Sequence, residues 1–455
     1  MQAIKKAKSF KQEIANRIKS DLSLRLLEAF LPQRFLQAGV WYFLSSKSLD
    51  NFAQKRKSVN SPKEKKVIWW KPTSGDRALH KLADLEIVKQ LAKRSYSIHV
   101  IVPTTNEKLT ISKTSQVHII CIRMKYLPLI LPLARSILLF FLFPIYIIAF
   151  QPDFIIGEPD VSILSFIPTI ILSRLKKIKL ILDIRSVPVE TVGFLGSMMH
   201  LWFTVSIMLA RKYFDGITII TSLMRTEICS RFQINPKKVG VWTSGVSTRL
   251  FNPSKYISAR SEFKRKLGLT GKFVVLYHGI FSATRGLTQT IEAIRILKRT
   301  YPNTALLLLG RGPTIPKLRC LIRKENLQNN VIIHNPVDQA EVPKFISMCD
   351  VGIVPLPNNP YWRHQSPLKL LEYLAMEKVV IVTDIPAHRV IIGENKCGLY
   401  VSSAQPLEIA KAIEYAYGNA GDLKKWGKTG RKIIEERYTW EKVALDLEDY
   451  MLSIG

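Results

Sequence analysis

Short runs of apolar residues alternate along the chain with longer segments of mixed character. Between the first runs lie segments long enough for crossover helices, of which Asp76–Arg94 is an example. This alternation is typical of a doubly wound parallel sheet with helices on its faces. The strands it predicts are Val67–Trp70, Ile98–Val102, Val117–Ile122, Phe154–Gly157, Leu180–Asp183, Ile217–Ile220 and Val239–Trp242.

The alternation starts afresh after turn residues that cluster at Thr243–Val246 and Phe251–Pro253. Six further apolar runs follow, with helices between them. We therefore predict two tandem Rossmann-like α/β domains, residues 65–247 and 248–437. The strands predicted in the second are Phe273–His278, Ala305–Gly310, Val331–His334, Val351–Pro355, Val379–Thr383 and Gly398–Val401.

Residues 1–64 have a different composition. From Met1 to Lys66 there are fifteen Lys and Arg against five Asp and Glu, a net charge of +10. Apolar residues recur at helical spacing among these cations, which predicts a basic amphipathic helical arm suited to an anionic bilayer surface. A solubilising arm that packs on its own protein is the alternative. Lys55–Lys66 is interpreted as a linker.

The most apolar stretch is Tyr126–Gln151, in which Arg135 is the only charge. Its length permits a transmembrane helix. However, prolines interrupt it, and it lies between two strands of one predicted sheet. We expect a crossover helix whose outer face enters the membrane interface, with a span as the alternative. Phe194–Leu209 fits an extension of this apolar face and simple core packing equally well.

The overall composition narrows the class of protein. Hydrophobic residues make up 47% of the 455 positions, which excludes a disordered chain, and the net charge of +32 calls for an anionic partner. No zinc knuckle, K-homology loop or aromatic RNP pattern accompanies this charge, so we expect no nucleic-acid partner. The five cysteines are widely spaced and are expected to be free thiols in a reducing compartment. The N-terminus shows no signal-peptide pattern.

Candidate chemistry follows three strands of the second domain. Gly279 lies in a turn after the first strand, and Arg285-Gly286 leads into the following helix. A second turn, Gly310-Arg311-Gly312-Pro313, follows the next strand. Glycine turns at helix N-termini present N–H groups and a positive dipole to phosphate, and Arg285 adds a cation.

The third segment is Ser366–Met376, where Ser366 is a predicted N-cap and Pro367 the first helical residue. Lys369 in the first turn opposes the helix dipole, so it is better suited to binding an anion than to stabilising the helix. Glu372 lies one turn further on the same face, placed to accept hydrogen bonds from a sugar hydroxyl. Together the three segments indicate a nucleotide-diphosphate cleft. A solvated surface pair of Lys369 and Glu372 is the alternative.

At this point the chain resembles the group 1 (family 4) glycosyltransferases. The resemblance rests on His278-Gly279, Arg285-Gly286, Gly310-x-Gly312-Pro313, Ser366-Pro367-Leu368-Lys369-Leu370-x-Glu372 and Tyr438-Thr439-Trp440-Glu441. It implies the two-domain GT-B fold, with the nucleotide-sugar donor on the second domain. It also implies that residues 438–455 form a helix returning to the first domain.

On the acceptor side the resemblance is less specific. Gly75 and Asp76 stand where the family has its first glycine-rich turn, and Asp183-Ile184-Arg185 is similar to its D-x-R-x-x-P segment. Asp183 and Arg185 are therefore catalytic candidates in the acceptor cleft. Asp183 has an equally good interpretation as a residue that caps a strand end, and the sequence names no catalytic base.

The family resemblance implies that Arg285 and Lys369 neutralise the donor diphosphate. It also implies that Glu372 binds the ribose. The turn ending at Val337 would contact the base. Gly279, Gly286, Gly310, Gly312, Ser366, Pro367 and Leu368 complete the expected donor site. The resemblance implies transfer with retention and without metal or cofactor. Two positions depart from the family: His364 replaces a frequent glutamate, and Ile280-Phe281 stand where a cation is common.

The sequence thus predicts a glycosyltransferase that uses a UDP- or GDP-type sugar and a lipid-linked or membrane-proximal glycan acceptor. We expect it on the cytoplasmic face of the cell membrane, as a peripheral or monotopic protein. A GT-B nucleotide-sugar 2-epimerase and a non-catalytic membrane-bound scaffold are the alternatives.

Overall fold

The computed structural model describes residues 64–72, 82–104, 117–123, 131–188 and 193–455. Contacts divide the described chain into two units. The first contains the residues up to Ile219 together with Ile228–Gly240 and Leu447–Gly455. The second contains Ile220–Glu227 and Val241–Asp446. The basic arm and the candidates Gly75 and Asp76 lie outside the described residues.

The first unit is built on a seven-stranded sheet in the order β3-β2-β1-β4-β5-β6-β7. Strand β1 pairs in parallel with both β2 and β4, so the strand order reverses there, as a doubly wound sheet requires. Its strands are β1 Lys65–Trp70, β2 Tyr96–Thr104, β3 Val117–Arg123, β4 Phe154–Gly157, β5 Lys179–Ile184, β6 Gly216–Ile219 and β7 Val239–Val241.

Helices connect these strands. They are α1 Leu82–Lys93, α2 Leu131–Phe150, α3 Phe166–Lys176, α4 Gly193–Tyr213 and α5 Ser222–Phe232. The crossover helix expected between β3 and β4 is α2, which buries Leu139, Phe143 and Ile147. Among its described side chains, Ile137 and Phe140 are the exposed large hydrophobic residues. In the described part of the chain, α4 is the helix long and apolar enough to cross a bilayer.

The second unit contains a six-stranded sheet in the order β10-β9-β8-β11-β12-β13. Its strands are β8 Phe273–Ile280, β9 Thr304–Arg311, β10 Val331–His334, β11 Val351–Val354, β12 Val379–Thr383 and β13 Gly398–Val401. Its helices are α6 Arg260–Lys266, α7 Leu287–Leu297, α8 Ile315–Lys324, α9 Val342–Met348, α10 Pro360–Arg363, α11 Leu368–Ala375, α12 Pro386–Ile392, α13 Pro406–Gly418 and α14 Leu423–Arg437. The last helix, α15 Trp440–Ser453, begins in this unit and ends in the first.

The predicted pair of doubly wound Rossmann-like sheets is confirmed. The order again reverses at β8, which pairs with β9 and β11. The carboxyl ends of neighbouring strands at such a reversal form a crevice suited to ligand binding. The prediction that Gly279 and Gly310 lie in turns is wrong, because the two strands run on and pair Gly279 with Gly310 and Ile280 with Arg311. The turns begin after Ile280 and Arg311, at this edge of the sheet.

Candidate functional site

The last residues of β8 and β9, and the turn after β9, pack through glycines that touch the neighbouring backbone. Gly310 has φ of +150°, and a Cβ on it would lie 1.9 Å from the Gly279 carbonyl oxygen. A Cβ on Gly312 would lie 2.0 Å from the Phe281 carbonyl oxygen. Because no side chain fits at these two contacts, glycine is required for the turns to pack as they do.

Gly286 fixes the position of Arg285. It has φ of +69°, and a Cβ there would lie 2.1 Å from the Pro355 carbonyl oxygen. Arg285 precedes this residue and lies with its guanidinium carbon 4.8 Å from the centre of the Trp362 ring. The Trp362 indole donates a hydrogen bond to the Thr284 carbonyl at 3.2 Å, which holds the ring beneath the cation.

Lys369 is the second residue of α11. Its Nζ is enclosed, has no hydrogen-bond acceptor within the described chain and lies 3.8 Å from the centre of the Tyr277 ring. Burial holds the pKa of Lys369 well below its usual range; nearby Arg285 lowers it further, and Glu372 opposes both. A bound anion would reverse these effects, because it would supply the missing acceptor and charge.

A second buried lysine of the same unit shows the contrast. Lys378 Nζ donates hydrogen bonds to the carbonyl oxygens of Ser347 at 3.2 Å and Cys349 at 2.7 Å. Its cation therefore joins the segment before β11 to the turn before β12, a structural task. Lys369 has no such task in the described structure, so its ammonium is available to a ligand.

Glu372 lies one turn after Lys369 on α11. It is 7% exposed, and burial raises the pKa of its carboxyl to about 7. Gln339 donates a hydrogen bond to one carboxyl oxygen at 3.4 Å, and His278 Nε2 lies 3.4 Å from the other. Burial and the adjacent Lys369 lower the pKa of His278 to about 3, so the imidazole is neutral. A neutral hydrogen-bonding environment beside a buried carboxyl suits the recognition of hydroxyl groups.

The prediction that Ser366 caps the helix is wrong. Helix α11 begins at Leu368, after an extended Pro367, with no side-chain cap. The Ser366 hydroxyl instead accepts hydrogen bonds from Thr243 Oγ1 at 3.0 Å and Ser244 N at 3.4 Å. These contacts fix the position of the first residue of α11, and hence that of Lys369, its second residue.

His364 and Val337 are positioned by other contacts. His364 Nε2 lies 2.9 Å from a Glu227 carboxyl oxygen, and its carbonyl oxygen accepts a hydrogen bond from Thr221 at 2.8 Å. Val337 is half-buried in the loop after β10. No sequence pattern indicated Glu227 as the partner of His364, because the two residues are 137 positions apart in the chain.

Asp183 and Arg185 belong to the first unit, and the donor-site candidates belong to the second. Asp183 is the last residue but one of β5, is fully buried and accepts a hydrogen bond from Thr218 on β6 at 2.8 Å. Burial raises the pKa of Asp183 to about 6, with Arg185 and Lys71 opposing. The cross-strand hydrogen bond fits the alternative interpretation, a structural role at a strand end.

Sequence reasoning missed a buried ion pair in the same unit. Lys71 follows β1, Glu158 follows β4, and their charged atoms lie 2.5 Å apart. A charged residue directly after a buried apolar strand was the available signal, whereas Asp183 was identified by its resemblance to a family segment. Parallel strands bring such residues to one edge of the sheet.

The second unit therefore combines two cations, close-packed glycine turns and a buried carboxyl at the carboxyl ends of β8 and β9. This arrangement can bind a ligand that carries both phosphates and hydroxyl groups. In the described part of the chain, no group of three or more His, Cys, Asp and Glu side chains is arranged to hold a metal ion.

Comparison with known proteins agrees with this class of site. Residues 259–433 match the family described as glycosyl transferases group 1. The group 1 part of the resemblance is thereby confirmed over this segment, whereas family 4 within it stays a prediction.

Several curated proteins are similar to the chain. A glycosyltransferase of Methanocaldococcus jannaschii is 29% identical over 325 residues, covering 67% of this chain and 72% of its own length. The alpha-D-kanosaminyltransferase of Streptomyces kanamyceticus is 24% identical over 240 residues, 53% of this chain and 61% of its own. Across the first three relatives, the chain spans between 54% and 72% of their length.

Solved structures share the fold. A glycosyltransferase from Rickettsia africae superposes with a TM-score of 0.68 at 15% identity, over 86% of this chain and 99% of its own. HepE of Anabaena, in complex with UDP and glucose, has a TM-score of 0.65 at 14% identity, over 85% and 99%. The chain thus has the GT-B fold of these glycosyltransferases.

Proposed function

We propose that the protein is a glycosyltransferase that moves a hexosyl group from a nucleotide-diphosphate sugar to a glycan acceptor. The observation that carries the proposal is the Lys369 ammonium, which is enclosed without an acceptor among the described residues and lies beside Gly279 near the end of β8. A Cβ on Gly279 would lie 3.2 Å from Lys369 Nζ, so the lysine points at the carboxyl end of β8, where the phosphate is proposed to bind.

In the proposed reaction, the bond from the anomeric carbon of the sugar to the diphosphate oxygen breaks. Its electron pair stays on the diphosphate, and the acceptor hydroxyl oxygen bonds to the same carbon. The leaving diphosphate oxygen takes the hydroxyl proton. Negative charge grows on the diphosphate during this step, and Arg285 and Lys369 stabilise it as fixed cations. Because these cations can carry that charge, the proposal includes no metal ion or cofactor. It also includes retention of configuration, which is carried over from the family resemblance.

The remaining donor contacts follow from the same unit. Glu372 would accept hydrogen bonds from the ribose hydroxyls, and the loop at Val337 would contact the base. UDP- and GDP-type donors are both included in the proposal. The similar HepE structure contains UDP and glucose, and another relative is a GDP-mannose-dependent mannosyltransferase of Mycobacterium tuberculosis, 23% identical over 239 residues.

The acceptor is proposed to be lipid-linked or otherwise close to the membrane, at the cytoplasmic face of the cell membrane. The net charge of +32 and the basic arm support this location, since anionic lipid attracts clustered Lys and Arg. In this picture the protein is peripheral or monotopic. High salt or carbonate should then release much of it from isolated membranes.

An assay of purified protein for nucleotide-diphosphate release tests the reaction. A thermal-shift screen of UDP- and GDP-sugars first identifies the donor, because a ligand that binds the native state raises Tm. Release that depends on a lipid-linked acceptor supports the proposal. Release without acceptor together with an epimerised sugar, or nucleotide binding with no release under any condition, would contradict it.

A further inference from the structure

Helix α3 exposes an apolar stripe on its outer side. Ile167, Ile171 and Leu175 are exposed at spacings of four residues, and Ile171 is 64% exposed. Phe166, Leu172 and Ser173 of the same helix are buried against the unit. A helix on the surface of a globular protein normally carries polar residues on this outer side.

Helix α4 repeats the pattern. Phe194, Leu201 and Met208 are exposed at spacings of seven residues, and Phe194 is 74% exposed. Phe203 and Ala210 on its other side are buried. The helix is therefore apolar all round, with one side in the core and one side in solvent.

The two stripes lie on one face of the first unit. Strands β4, β5 and β6 are neighbours in chain order, and α3 and α4 connect them. Right-handed connections between successive parallel strands place both helices on the same face of the sheet, running in the same direction. We call Ile167, Ile171, Leu175, Phe194, Leu201 and Met208 the α3–α4 apolar face.

Cations cluster where both helices end. Helix α3 ends with Lys176 followed by Lys177, and α4 has Arg211 and Lys212 in its last turn. All four are exposed. Because the helices run in the same direction, these cations lie at the same edge of the apolar face. Cations also complement helix C-termini, but the helix dipole gives no reason for the apolar stripes between them.

We propose that the α3–α4 apolar face is the surface by which the protein docks on an anionic lipid bilayer. The apolar side chains would enter the interfacial region, and the cations at its edge would contact lipid phosphates. The charge pattern selects this occupant. A second copy would present the same cations, and the N-terminal arm of residues 1–64 carries a net charge of +8, so neither supplies a surface of negative charge. An anionic bilayer matches both features at once.

This inference rests on the proposed membrane location, and it is independent of the sugar-transfer reaction. It also shifts the expected contact from α2 to α3 and α4. Half of the described side chains of α2 are buried, whereas α3 and α4 expose all six residues of the α3–α4 apolar face. With Phe203 and Ala210 of α4 packed in the core, the proposal is interfacial docking of a folded unit.

Flotation of the full chain with vesicles tests the proposal without donor or acceptor. The vesicles are phosphatidylcholine alone, or phosphatidylcholine mixed with phosphatidylglycerol. The test variant combines Ile171→Ser, Leu201→Ser and Met208→Ser, all at exposed positions that the fold does not require. Ile257→Ser with Leu407→Ser, two exposed apolar residues of the second unit, is the matched control. A further variant combines Lys176→Gln, Lys177→Gln and Lys212→Gln.

We expect wild type and control to float with the anionic vesicles and the apolar triple variant to bind at least tenfold more weakly. The lysine variant should lose the preference for phosphatidylglycerol and most of its salt dependence. Wild-type flotation of the apolar triple variant would overturn the proposal and leave the arm as the membrane contact. A loss of dimer mass in that variant, measured by light scattering, would overturn it in favour of a second copy. Donor-induced thermal shifts, recorded on the same samples, report separately on the proposed donor site.

Discussion

The ammonium of Lys369 lies over the ring of Tyr277, 3.8 Å from its centre, at the end of the strand that leads into the first glycine turn. The aromatic face stabilises the cation only in part, because no hydrogen-bond acceptor within the described chain completes its shell. The unliganded protein thus keeps a buried cation at a cost in stability. Such a cost is expected at a site preorganised for an anionic ligand.

Lys369→Met should therefore raise the Tm of the unliganded protein, since an incompletely satisfied buried cation is replaced by an apolar chain of similar length. Each kcal/mol gained corresponds to about 2–4 °C for a domain of this size. Lys378→Met should lower Tm, because it removes two buried hydrogen bonds, to the carbonyl oxygens of Ser347 and Cys349, at about 1–3 kcal/mol together. Differential scanning calorimetry of both variants without ligand makes the comparison. A fall in Tm of equal size in the two would mean that Lys369 is structural.

Gly286→Ala should destabilise the second unit by about 2 kcal/mol or more, from a left-handed backbone and overlap with a carbonyl oxygen. Its φ is +69°, and the new Cβ would lie 2.1 Å from Pro355 O. Gly418→Ala is the matched control, because nothing lies within 4 Å of a Cβ there. Urea unfolding measures both variants. Equal midpoints for the two variants would show that the turn before α7 tolerates a side chain at Gly286.

Glu372 should make stability depend on pH. Its pKa is about 7 in the folded protein against an ordinary value of 4.5, so between these values the folded state keeps a proton that the unfolded state loses. The contribution is present below pH 4.5 and is lost as pH rises through 7, by up to about 3 kcal/mol. Glu372→Gln should remove this decline, so that its Tm exceeds that of wild type at pH 8 more than at pH 5. Glu436→Gln, at an exposed position, should leave the pH profile unchanged.

His364→Ala should lower turnover less than tenfold if the histidine replaces a glutamate without taking its role. His364→Glu should be worse, because the new carboxylate would face Glu227, whose oxygen lies 2.9 Å from the present imidazole. Adding Glu227→Gln should recover most of that loss by removing the like charge. Steady-state kinetics on the two single variants and the double variant tests the coupling. Additive effects would show that the two positions act independently.

The sequence predicted the strands well, because most are buried on both faces and appear as uninterrupted apolar runs. Phe154–Gly157, Val331–His334 and Val379–Thr383 have the predicted bounds. Local rules failed where a distant partner decides. Ser366 fits the N-cap rule, but its hydroxyl instead accepts a hydrogen bond from Thr243, which is 123 positions away.

The apolar helices show the same limit. Helices α2 and α4 are both rich in apolar residues, and composition alone does not indicate which of them is more deeply buried in the unit. The structure buries half of the described side chains of α2 and leaves Phe194, Leu201 and Met208 of α4 exposed. Similarly, the motif positions of Arg285, Lys369 and Glu372 were evident from the sequence. Only the packed structure shows that Lys369 Nζ has no hydrogen-bond acceptor among the described residues.

The kcat for acceptor-dependent nucleotide-diphosphate release, measured for Arg285→Ala and Lys369→Ala, tests the central claim most directly. Arg299→Ala and Lys411→Ala, which remove exposed cations elsewhere in the second unit, are the matched controls. We predict that each site variant loses about 10²–10³ in kcat while remaining folded, by analogy with the removal of one transition-state donor. The controls should retain wild-type rates. Near-wild-type turnover in both Arg285→Ala and Lys369→Ala would contradict the assignment of this site.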